Sequence, residues 1–328
     1  MLVPHDKSEP AQEAAANTTP PAVWRKIRLF PLTRLVIALV FLAAGFILRD
    51  VIANGVFALP HDAIALRALV LMVAVLAAYV GYVRLVERRE VRELALQHAP
   101  RELSLGMLIG ACVILATTIL LWVLRSYHVT GINAWSVLLV PLVTTAATAL
   151  WEELAFRGIV FRIMEEGLGT WTALAFSAAI FGLLHLGNEN ASVFGAMTIT
   201  ATAGVFLAGV YILTRRLWLA IGAHYAVNLA QGPILGLPVS GREHTGLVQS
   251  TLHGPELLTG GAYGIEASVI TAALGLAVAS YVVRRAYAQG RFVGPLWTRR
   301  NGYSTGGILS ELRSFDDGRA KSLKSPGV

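Results

Sequence analysis

The chain has 328 residues, 55% of them hydrophobic and only 14% charged, with a mean hydropathy of +0.61. Soluble domains carry about a quarter charged residues, so a soluble globular fold is excluded and an integral, polytopic membrane protein is expected. The net charge of +7 comes from arginines set beside apolar runs, which fits anchoring to an anionic membrane face and argues against nucleic acid as a partner.

Residues 1–23 are rich in Ala, Pro, Thr and acids, with no basic segment before an early apolar core. They read as a disordered leader rather than a cleaved signal peptide. A spanning helix needs about 20 mostly apolar residues, and the sequence supplies eight candidate spans. They are Leu32–Leu48, Ala63–Val83, Leu103–Leu124, Ala134 into a charged motif at Glu152, Trp171–His185, Val193–Leu213, Leu217–Gln231 and Ile265–Val283. The fold class is therefore an all-α transmembrane bundle. Between the second and third spans, Val83 to Arg101 alternates apolar and basic residues, which predicts a helix extension along the membrane surface. The lone Cys112 lies in the third span and excludes intrachain disulfides and Cys-ligated zinc; a packed, inert thiol is expected there. The 232–264 segment, rich in Gly and Pro, is expected to cap one face, and the tail from 291 to 328 to be disordered.

The expected organisation is a leader (1–23), three helices (24–130), a core (131–231), an extracytoplasmic loop (232–264), a last helix (265–290) and a basic tail (291–328). Arginine clusters precede the first span, join the second to the third and the sixth to the seventh, and follow the eighth. Short Arg-rich loops stay inside, so both termini are expected to be cytoplasmic.

Charges interrupt this pattern in a few places. Glu152, Glu153 and Arg157 lie at the end of an uncharged apolar run, although one charge at the centre of a lipid-facing helix costs about 3 kcal/mol on insertion scales. Positions four apart share a helix face, so Glu153 and Arg157 can pair as structural support. Glu152 points about 100° away, with Thr145 and Thr148 on its side, and is left as the reactive group. An ion-pair network that only locks the bundle is the competing explanation. His185 follows Phe181 by one turn, and Asn228 follows His224 by one turn, so each pair faces one way. A polar helix–helix contact would explain the second pair nearly as well as a metal or oxyanion site. If the fourth helix turns near Gly167, Glu152 and His185 lie at matching depths, ~22–27 Å from the turn. The short spacing from Arg216 to His224 instead suggests a site near the Arg-rich face.

Glu-Glu-x-x-x-Arg, Phe-x-x-x-His and His-x-x-x-Asn, in this order on separate spans, resemble the CPBP family. These are the CAAX-processing and bacteriocin-immunity-type (Abi) intramembrane proteases, related to CAAX prenyl protease 2 (Rce1). The resemblance covers about Ala134 to Gln231, and Glu152, Glu153, Arg157, Phe181, His185, His224 and Asn228 all match. It implies that Glu152 and His185 activate a water for attack on a peptide carbonyl. His224 and Asn228 would hold the oxyanion or orient the water. By the same resemblance the first three spans stand apart from the activity, and the setting is a bacterial cytoplasmic membrane.

Glu152, His185 and His224 also supply the ligand types of a hydrolytic zinc centre, and such proteases are often labelled metalloproteases. No His-Glu-x-x-His helix is present, and zinc on all three would leave the general base to another residue. A glutamate-activated water is the preferred reading. The expected activity is endoproteolysis of a membrane-anchored or membrane-inserted protein, CAAX-type C-terminal processing being one form of it. A non-catalytic scaffold or immunity factor is the alternative from another class. A transporter is disfavoured by the lack of repeat symmetry.

Overall fold

The computed structural model describes residues 30–299; the leader at 1–23 and the tail beyond 299 lie outside the described residues. Apolar runs without water must satisfy their backbone internally, and helices do so. Among the described residues, seven helices are long and apolar enough to cross a membrane. Six come first: α1 (Pro31–Val56), α2 (Ile64–Glu87), α3 (Arg92–Val123), α4 (Trp135–Leu168), α5 (Thr170–Gly187) and α6 (Val193–Thr214). A shorter helix follows, α7 (Trp218–Leu229), running on into a wide turn over Ala230–Ile234. The last long helix is α8 (Val269–Ala288). The chain is an integral, multi-pass membrane protein.

Local chemistry sets the ends. Pro31 opens α1, where its missing N–H costs nothing. Gly169, at φ +82°, lets α4 stop and α5 start at once. The last span begins at Val269 rather than Ile265, because Ile265–Ala267 forms a separate 3-10 turn and the Ser268 side chain caps α8 by accepting from the Ile270 N–H.

Strands were not expected. β1 (Tyr127–Ile132) pairs antiparallel with β2 (Val248–Leu252), with Tyr127 opposite Leu252 and Ile132 opposite Val248. More than a hundred residues separate them, so no hairpin signal marks the pair. This sheet and the 235–268 segment cover one end of the helical bundle.

The Arg-rich turns lie at the other end, and the structure corrects the expected surface helix there. α2 stops at Glu87, where Arg88 takes φ +56°, and α3 opens with short turns at Arg92–Leu94 and Leu96–His98 before its regular helix begins at Ala99. Glu87 is buried and accepts from Arg162 (2.9 Å), Arg89 (2.8 Å), Tyr82 (2.9 Å) and Arg34. Glu93, also buried, is paired with Arg89 (2.7 Å) and bonded to Tyr79. Glu87 turns inward because α1 and α4 bring Arg34 and Arg162 to meet it, and Glu93 turns in to Arg89 and Tyr79, whereas Glu90 stays exposed. Cys112 differs as well: it is exposed on α3 rather than packed.

Helix α7 lies against α3, α4 and α6. Its approach to α3 is a backbone contact. A Cβ on Gly106 would lie 2.2 Å from the Leu219 carbonyl oxygen, and one on Gly110 would lie 2.4 Å from that of Ala223. Gly106 and Gly110 are four apart, the small-residue spacing that brings membrane helices close. His224 follows Ala223, so this contact sets where that imidazole sits.

Candidate active site

Glu153 and Arg157 are both fully buried and joined at 2.8 Å. Arg157 also donates to the Gly204 carbonyl (3.3 Å) and lies 4.6 Å over the Phe181 ring. The expected structural pair is thus present, but Glu153 has a second partner. The same oxygen, Oε1, lies 2.8 Å from His224 Nδ1. With Glu153 ionised, this contact makes Nδ1–H the donor and directs Nε2 the other way. Nε2 lies 3.7 Å from Glu152 Oε2, beyond a hydrogen bond but close enough for one water to touch both. Glu152 Oε2 is buried without a hydrogen-bond partner among the described residues.

Glu152, His185, His224 and Asn228 all line one cavity of about 430 Å³, within the usual range for ligand pockets. Thr145 and Thr148 line it on the Glu152 side, as the helical spacing predicts. Phe181 stacks 4.8 Å from His185 and 6.0 Å from His224, fixing both rings. His185 Nδ1 bonds to the Phe181 carbonyl (2.7 Å), which turns Nε2 outward. Glu152 and His185 share the cavity without bonding directly.

Three features differ from the sequence reading. Gly110, Val113 and Ile114 of α3, with Thr271 and Gly275 of α8, form cavity walls, so the third span does not stand apart from the site. Ser240, Arg242, His244 and Glu266 of the covering segment, with Asn188 after α5, add polar groups to the lining. Asn188 is partly exposed, and Arg242 and His244 are exposed, so the rim lies at the end opposite the Arg-rich turns. The spacing from Arg216 to His224 does not mark the cavity's opening, which lies at the other end of the bundle. Arg216 reaches Glu102 inside α3 (2.8 Å), and the Leu217 N–H donates to Glu93 (3.0 Å).

The proposed zinc set fits poorly. Among the described residues no three His, Cys, Asp or Glu side chains converge as a metal-binding group. Glu153 holds His224 Nδ1 and a backbone carbonyl holds His185 Nδ1, which leaves each Nε2 free toward the cavity. Glu152, His185 and His224 stand as separate polar groups around that space.

Residues 133–230 match the family model described as "Type II CAAX prenyl endopeptidase Rce1-like". YdiL of Bacillus subtilis (strain 168), whose name proposes a membrane peptidase, is 30% identical over 90 residues, covering 27% of this chain and 34% of YdiL. The match thus spans about a third of that relative's length. No solved structure matches. The segment that brings Glu152, His185, His224 and Asn228 to one cavity is the one that matches the Rce1-like family model, consistent with its resemblance to the CPBP intramembrane proteases.

Proposed function

We propose that the chain is an intramembrane endopeptidase that hydrolyses a peptide bond of a membrane-anchored or membrane-inserted protein. The observation that carries this reading is Glu152 Oε2, buried without a hydrogen-bond partner and facing His224 across a space that one water can bridge. Glu152 takes a proton from that water as its oxygen attacks the substrate carbonyl, and later gives the proton to the leaving amine. His185, through its outward Nε2, helps hold the water. Asn228, and His224 when its Nε2 carries a proton as well as the Nδ1–H held by Glu153, hold the developing oxyanion. Such preset donors in a dry cavity are worth about 3–4 kcal/mol each to the transition state.

A short cavity inside a bundle suits a chain end or an unwound loop, not an intact helix. Processing near a lipid-modified C-terminus is one substrate class of that shape. Loop charge places both termini and the Arg-rich turns in the cytoplasm, with α7 as an eighth crossing. The same rule puts the cavity rim on the extracytoplasmic side.

Mass spectrometry of new peptide termini, from cells making wild type or Glu152→Ala at matched levels, tests the reading. Termini that vanish with Glu152→Ala support it and identify the substrate. Identical profiles from two folded, abundant proteins would favour a non-catalytic scaffold or immunity factor.

A further inference from the structure

We propose that Arg242 selects the substrate by binding a carboxylate of the peptide at the cavity rim. This rests on the peptidase reading above. Arg242 is the one Arg or Lys among the residues lining the Glu152 cavity. It is exposed, and among the described residues no carboxylate lies within ion-pair distance of it. Its only side-chain bond there runs from Nη2 to Asn188 Oδ1 (3.0 Å), which leaves most of its donors available. By contrast, Arg157 and Arg162, deeper in the same bundle, are both paired with glutamates.

The backbone that presents Arg242 is built with unusual care. Val239 and Arg242 exchange both backbone bonds (2.9 and 3.0 Å), with Ser240 at φ +48° and Gly241 at φ +84° between them. Two successive positive φ angles define a mirror-image turn, and a serine in that region is strained. Only surroundings that over-determine a strained turn keep it, and they do so here. Ser240 donates from both N–H and Oγ to buried Glu266 Oε2 (2.8 Å each). Asn188 and Asn190 donate to the Ser240 and Gly241 carbonyls (3.0 Å each), and the Gly241 N–H donates to Tyr263 (2.8 Å). A Cβ on Gly241 would fall 1.8 Å from the Glu189 carbonyl oxygen, so the position admits glycine alone.

The result is a rigid backbone turn that presents an exposed guanidinium at the mouth of a largely apolar cavity holding the Glu152 group. A guanidinium fork matches a carboxylate in shape and charge. On a peptide that carboxylate is either the free C-terminus or an Asp or Glu side chain. Bound at the rim, it would set how far the chain reaches inward and therefore which bond meets the water.

The test uses the full chain in nanodiscs with apolar peptides in matched sets: free C-terminal acid, C-terminal amide, and amide with one added Glu. The expected result for wild type is a kcat/KM for the anionic member roughly tenfold or more above its amide, carried mostly by KM. Arg242→Ala should bring that ratio near one and Arg242→Lys restore part of it. The free-acid and Glu-bearing arms tell the two sources apart. A wild-type ratio of one, an unchanged ratio in Arg242→Ala, or Arg242 dependence that follows only the anionic-lipid content of the nanodisc would overturn the proposal. Glu152→Ala that cleaves as wild type does would defeat the peptidase reading instead. Fluorescence-anisotropy binding of the same peptides to Glu152→Gln, with and without Arg242→Ala, decides the role of Arg242 even where nothing is cut.

Discussion

One oxygen of Glu153 serves both Arg157 and His224, each at 2.8 Å. The two adjacent glutamates therefore divide their work by direction. Glu152 faces the cavity, while Glu153 stands behind His224 and orients its ring. Arg157→Ala would strand Glu153 without its cation in a dry core, a loss of about 3–5 kcal/mol. A large drop in detergent melting temperature, with poor expression, is the expected result; melting equal to Glu152→Ala would contradict it. Glu153→Gln is expected to affect chemistry as well, lowering cleavage roughly tenfold or more, as loss of an orienting carboxylate does in serine proteases. A Gln variant that melts low yet cuts at the wild-type rate would leave Glu153 only its structural part. Glu152→Ala should melt near wild type and lose cleavage by about 10²–10⁴-fold, the usual reach of a general base. The Glu153–Arg157 pair was legible from four-residue spacing alone. The His224 partner was not, because it comes from another helix far along the chain.

Elements are placed by contacts of very different kinds at the two ends of the bundle. At the Arg-rich end, buried Glu87 ties α2 to α1 and α4 through Arg34 and Arg162. Near the cavity, glycines let α3 and α7 touch backbone to backbone. Gly110→Ala would drive a Cβ to 2.4 Å from the Ala223 oxygen, and overpacking of this sort costs about 1–3 kcal/mol. Because His224 follows Ala223, cleavage should fall together with melting temperature. Leu108→Ala, at an exposed position of the same helix (61% exposed), is the control expected to change neither. Equal behaviour of the two variants would remove α3 from the support of the site. The Gly106–Gly110 spacing is visible in the sequence. Which helix it admits is not, since any neighbour with a small residue would satisfy it.

Across the whole molecule, the Arg-rich turns and the cavity rim occupy opposite ends. With the termini in the cytoplasm, His244→Cys in a Cys112→Ala background should react with a membrane-impermeant maleimide on intact cells. Arg101→Cys should react only after permeabilisation; the reverse pattern would invert the orientation and place the rim inside. The sequence by itself determined the membrane class, the positions of the long apolar helices and the order of the three polar motifs. Each of these is written locally, in hydropathy and in helical spacing, and lipid allows an apolar run little choice but a helix. Tertiary structure alone decided that Glu153 backs His224, that α3 and α8 wall the cavity, and that the Ser240–Arg242 turn overhangs it. It also turned Glu87 and Glu93 of the Val83–Arg101 run inward. Those outcomes depend on side chains brought together from distant segments, where partner and distance, rather than local pattern, set the energy.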